Sequence, residues 1–114
     1  MVRKKYIYVT EQFEAYHKWK DAPDEVKFLR SMHRHIFKVK VTIEVWHEDR
    51  EIEFIMFKWK LRNFLRENYE MKEDVGSCEM IAESILDWLE KEYPGRYIQV
   101  EVSEDGENGA IVTN

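Results

Sequence analysis

The chain has 114 residues, with 18 Lys and Arg against 23 Asp and Glu, a formal net charge of -5 and a single cysteine. A domain of that length can bury roughly two-thirds of its unfolded surface without disulfide support. An acidic balance whose only basic cluster is Arg3-Lys4-Lys5 argues against a nucleic-acid partner. The apolar runs fall far short of the roughly 18 residues that suggest a membrane span, no signal-peptide pattern is found, and Cys78 cannot make an internal disulfide, so a cytoplasmic protein with no membrane partner is expected.

From Tyr6 to His17 the odd positions Ile7, Val9, Glu11, Phe13, Ala15 and His17 set a period of two, which predicts a half-buried first strand. "KWKDAPDEVKFLRSM" breaks the alternation and reads as a loop with room for one helical turn. From His33 the alternation returns, with His33, His35, Phe37, Val39, Val41, Ile43 and Val45 on one face of a second strand. The polar "HEDR" at 47 to 50 reads as a hairpin turn, and Ile52, Phe54 and Met56 as a third strand.

The period then lengthens. Phe57, Leu61, Phe64 and Leu65 predict a helix from about Phe57 to Tyr69, and Ile81, Ile85, Trp88 and Leu89 a second one that ends before Pro94-Gly95. Ser77 is the expected N-cap of this second helix, and Glu79 places a negative charge at its positive end. Ile98, Val100, Val102 and Glu104 share one face of a fourth strand, after which "GENGAIVTN" can add a short further one. The expected architecture is α+β over residues 1–114: an antiparallel four-stranded sheet in the order β-β-β-α-α-β, with two helices packed on one face.

His33 and His35, two apart on a strand, project from the same face. If the first two strands pair as neighbours, His17 joins them at one end of the sheet. Three imidazoles with an open fourth position suit a catalytic Zn²⁺, which polarises an oxygen or acidifies a bound water. The alternative is that they are polar residues at strand ends that bind nothing. His47, in the far turn, stands apart. Glu104 sits where the alternation asks for a hydrophobe, and a carboxylate there needs a partner. Either it pairs with an Arg or Lys or lies exposed at the strand end, or it accepts the paired N–H donors of a ligand.

In order and spacing, "FEAYHKW", "MHRHIFKVKVTIEV", "GSCEMIAESILDWL" and "VEVSEDGENGAIV" resemble the 6-pyruvoyltetrahydropterin synthase family, which includes the 6-carboxytetrahydropterin synthases. The resemblance spans nearly the whole chain. It implies Zn²⁺ on His17, His33 and His35, a grip by Glu104 on the pyrimidine edge of a pterin, and for Glu79 the place of the family's helix-start glutamate. It also implies the tunnelling fold, in which subunits join their sheets around a channel, commonly as homo-hexamers with sites at subunit boundaries. The activity implied is that of a carbon–oxygen lyase on a dihydroneopterin triphosphate-like substrate.

Departures from the family pattern bear on the chemistry. Arg34 replaces the middle glycine of the family's H-G-H, on the opposite strand face. The catalytic cysteine expected shortly before His33 is missing, since "VKFLRS" offers Leu29 and no thiol, and the family's L-D-H segment has no counterpart in "RENYEMKEDVG". Each lost acid or base forfeits about 10²- to 10⁴-fold in rate. Replacements to consider are Cys78, whose thiol a helix N-terminus could acidify, and Asp24 or Glu25 (with Asp21) in the loop before His33. Each also has a plain reading, Cys78 as a packing residue and the acids as solvated loop charges. Two readings follow: a zinc-dependent pterin synthase, or a pterin- or purine-binding protein that has lost catalysis on the same scaffold.

Overall fold

The computed structural model describes residues 2–114. Its backbone is set by two 13-residue strands, β1 (Lys5–His17) and β2 (His33–Val45), which pair antiparallel from Lys5↔Val45 to His17↔His33. Beyond β2 lie β3 (Ile98–Glu104), in register from Phe37↔Glu104 to Ile43↔Ile98, and β4 (Asn108–Thr113), giving a sheet of order β1-β2-β3-β4. A short 3-10 segment, Asp24–Arg30, occupies the connection between β1 and β2.

Two helices, α1 (Phe54–Asn68) and α2 (Cys78–Glu92), cover one face of the sheet. That face carries the odd positions of β1 and β2 and the even positions of β3, apolar over the middle of the sheet except at Glu11, and Phe37, Val39, Val41, Ile98, Val100 and Val102 are buried there. Phe57, Leu61 and Leu65 of α1 and Ile81, Ile85 and Leu89 of α2 recur at spacings of four and close the core. Glu11 is the charged exception on the inner face of β1, and it is met by Arg62 and Lys58 of α1, at 2.9 Å and 3.3 Å. The opposite face is polar, with Lys40 over the Tyr8 ring and Arg34 paired with Glu14.

The α+β class, the four antiparallel strands and the helices on one face agree with the sequence expectation, but the third strand expected at Ile52 to Met56 does not form. The chain enters α1 there. Glu53 is its N-cap, accepting from the N–H groups of Ile55 and Met56, and of the three alternating residues only Ile52 is buried. The fourth strand is instead β4, so the order is β-β-α-α-β-β. Gly109 allows β4 to close on β3, because a Cβ there would lie 2.1 Å from the carbonyl oxygen of Val102.

The connection from α1 to α2 runs along the free edge of β1. Met71 donates to the carbonyl of Glu14, Tyr16 to that of Lys72, and Val75 to that of Tyr16. These bonds satisfy an otherwise open strand edge and bring Gly76 beside the end of β1. No helix among the described residues is long and apolar enough to cross a membrane.

Candidate metal centre and ligand cleft

The register that pairs His17 with His33 also places His35 across from Ala15, so all three imidazoles leave the same face at the same end of the sheet. Their ring centroids are 4.6 Å (His17 to His33), 5.1 Å (His17 to His35) and 5.0 Å (His33 to His35) apart. One nitrogen from each ring can be chosen so that all three lie within 4.8 Å of one another. The rings rest on the core: Phe37 meets His17 and His35 edge to face at 5.2 Å and 5.7 Å, and Phe13 stacks behind it at 5.1 Å.

In every ring Nδ1 faces an acceptor. That of His17 lies 2.8 Å from the carbonyl oxygen of Gly76, that of His33 2.8 Å from the carbonyl oxygen of Ser31, and that of His35 2.8 Å from the Asp105 carboxylate. A carbonyl or carboxylate oxygen can only accept, so in neutral rings each Nδ1 carries the proton and each Nε2 is a bare lone pair. Gly76 reaches its position through a left-handed backbone, φ +96°, that suits glycine alone.

The Nε2 atoms of His17 and His35 are buried and lack a hydrogen-bond partner. The Oε2 of Glu104 lies 3.0 Å from the first and 3.7 Å from the second, too close for two lone-pair donors with nothing between them. A proton or a bound cation between them relieves the crowding, and a cation also takes up both orphaned nitrogens. The donor set, imidazole nitrogens each oriented through the other ring nitrogen, is the one zinc favours. The residues present therefore fit a metal ion.

At His17 and His33 opens a cleft of about 650 Å³, lined also by Trp19 and Leu29 and by Ser77, Cys78, Glu79 and Met80 at the start of α2. Ser77 caps α2 by accepting from the Met80 N–H at 3.2 Å, as expected, and holds Glu79 in the first turn. Glu104 reaches the cleft from the end of β3, its Oε1 accepting from the Asn108 side chain at 3.1 Å. It has found no Arg or Lys; its neighbours are imidazoles.

Of the two readings of Cys78, its burial favours the packing residue over the acidified thiol. Burial, reinforced by the negative charges of Glu104 and Glu79, pushes its pKa up to about 12, which outweighs its place at a helix start. Asp24 and Glu25 are exposed, outside the lining of the cleft, and Asp24 is held by Arg30 at 2.8 Å. Leu29, where the family pattern led us to look for a thiol, is part of the cleft wall. Sequence reasoning missed Asp105, which reads as half of an Asp-Gly turn, and Trp19 and Asp74, which line the cleft from loops with no periodic signal.

A family model described as 6-pyruvoyl tetrahydropterin synthase matches residues 6–114. The chain belongs to that family, whose architecture is the tunnelling fold and whose members use a metal ion. Its function is thus broadly pterin synthase-like, and the family points to a pterin-like ligand and to oligomers. Comparison with the curated proteins finds no match.

Proposed function

We propose that this chain is a zinc-dependent pterin synthase of the 6-pyruvoyl- or 6-carboxytetrahydropterin type, a carbon–oxygen lyase acting on a dihydroneopterin triphosphate-like substrate. His17, His33 and His35 hold the zinc. The observation that carries this reading is the common orientation of the three rings, each with Nδ1 bonded outward and Nε2 left for a ligand bond.

Bound zinc would polarise a carbonyl or hydroxyl oxygen on the substrate's side chain. Glu104 accepts paired N–H donors from the pyrimidine edge of the heterocycle, a charge-assisted contact that fixes its orientation. Glu79 adds a second acceptor to the cleft lining, and Trp19, Leu29 and Met80 give the flat ring apolar walls. The chain works in the cytoplasm as a homo-oligomer, a hexamer on the family pattern.

A second reading, a pterin- or purine-binding protein without catalysis, is favoured by one observation. The cleft offers Leu29 and a thiol with a pKa near 12 where a proton-transfer group is needed. Incubation with dihydroneopterin triphosphate, followed by mass spectrometry, separates the two. Product formation lost in His35→Ala supports the synthase; tight pterin binding without product identifies the binder.

A further inference from the structure

We propose that Asp105 is the positioning residue of His35, locking that ring with its proton on Nδ1 and its bare Nε2 turned toward His17 and His33. The inference rests on the reading of the three histidines as metal ligands. Asp105 follows the last residue of β3 in a tight turn, with left-handed backbone at Asp105 (φ 58°) and Gly106 (φ 76°). Such a turn suits Asp followed by Gly, and it folds the carboxylate back over β2.

The carboxylate is held on both oxygens. Oδ2 lies 2.8 Å from His35 Nδ1, and Oδ1 accepts from the Ile36 backbone N–H at 3.0 Å. The backbone N–H of Asp105 in turn donates to the Ile36 carbonyl at 2.8 Å. Three bonds thus tie this residue to the histidine and to its immediate neighbour in the chain, and the carboxylate cannot swing away without breaking two of them.

The comparison with the other two rings gives the residue its importance. His17 and His33 are oriented by backbone carbonyls, of Gly76 and Ser31. Only His35 depends on a side chain, and only there does the orienting group bring a full negative charge, which raises the electron density at the opposite nitrogen. Without that acceptor the ring is free to carry its proton on Nε2, where it blocks the lone pair a metal needs.

The test uses the full chain, stripped of metal with a chelator and labelled with ¹⁵N-histidine, as wild type, Asp105→Ala and Asp105→Asn. NMR of the imidazole nitrogens, recorded where the rings are neutral, should show His35 protonated on Nδ1 in the wild type and in Asp105→Asn, whose amide oxygen still accepts. In Asp105→Ala the proton should redistribute toward Nε2. Zinc affinity, read by competition with a chromophoric chelator, should fall by about 10- to 100-fold in Asp105→Ala and by less in Asp105→Asn. An unchanged tautomer and unchanged zinc affinity in folded Asp105→Ala would overturn the proposal. Wild-type protein that binds no zinc, yet shows the tautomer change in Asp105→Ala, would support the positioning role and remove the metal reading alone.

Discussion

Nε2 of His17 and Oε2 of Glu104 lie 3.0 Å apart, while the other nitrogen of the same ring meets the Gly76 carbonyl at 2.8 Å. Two acceptors at that distance require a proton or a cation between them. The pair links the ends of β1 and β3, and the proposed function gives the two groups separate roles, the imidazole to hold the ion and the carboxylate to grip the heterocycle.

Glu104→Gln should therefore separate the two functions. Removing the charge-assisted contact should weaken binding of a reduced pterin by about 10- to 100-fold, the equivalent of roughly 1.5–3 kcal/mol. Zinc content should stay at the wild-type level. Fluorescence titration with a pterin, together with metal analysis of the same sample, reads both; loss of zinc with unchanged pterin affinity would reverse the assignment.

Phe37 joins the site to the core, fully buried between Phe13 and the rings of His17 and His35. Phe37→Ala should cost about 3–5 kcal/mol in urea unfolding. A milder change, Phe37→Leu, should leave the chain folded yet weaken zinc binding, because two imidazoles lose the surface that fixes their tilt. Equal zinc affinity in Phe37→Leu would show that the rings are held by their hydrogen bonds alone.

Glu11 gives the pH dependence a sign. Burial raises its pKa, but Arg62 and Lys58 together bring the group below its ordinary 4.5. A carboxylate whose folded pKa is depressed stabilises the fold fully above its unfolded pKa, and that contribution is lost as pH falls through the folded value. Glu11→Gln should thus destabilise by about 1–2 kcal/mol near neutral pH. The difference from wild type should shrink below about pH 4.5. Urea midpoints measured across that range check it, and a difference that grows with acid would contradict it.

Cys78 should be unreactive in the metal-free native protein. With a pKa of about 12, only about one thiol in 10⁴ is thiolate at about pH 8. Iodoacetamide should label it at the rate of global unfolding and at full speed in denaturant. Rapid native labelling would return it to consideration as the missing base.

The period of two in β1 and β2 made most of the site legible, since it put His17, His33 and His35 on one face and their end-to-end pairing brought them together. Glu104 was legible for the same reason, as a carboxylate out of place in an apolar series. What alternation could not resolve was the segment from Ile52 to Met56. Three alternating residues are too few to outweigh an N-cap, and Glu53 gives its carboxylate to the N–H groups of Ile55 and Met56. Asp105 was hidden by chemistry of another kind: an Asp-Gly dipeptide announces a turn, and only the β2 to β3 register, with Phe37 opposite Glu104, shows that the turn closes over His35. For Cys78 the sequence shows the helix terminus but not the burial, and it is the burial that favours the packing reading over an acidified thiol.

The central claim is that His17, His33 and His35 form one zinc site. Metal analysis of protein purified without a histidine tag, and dialysed against a weak chelator, tests it most directly. About one zinc per chain in the wild type is expected, with the metal lost in His33→Ala and metal-dependent stabilisation lost with it. Zinc-free wild-type protein that neither takes up the ion on titration nor differs in stability from His33→Ala would contradict the account.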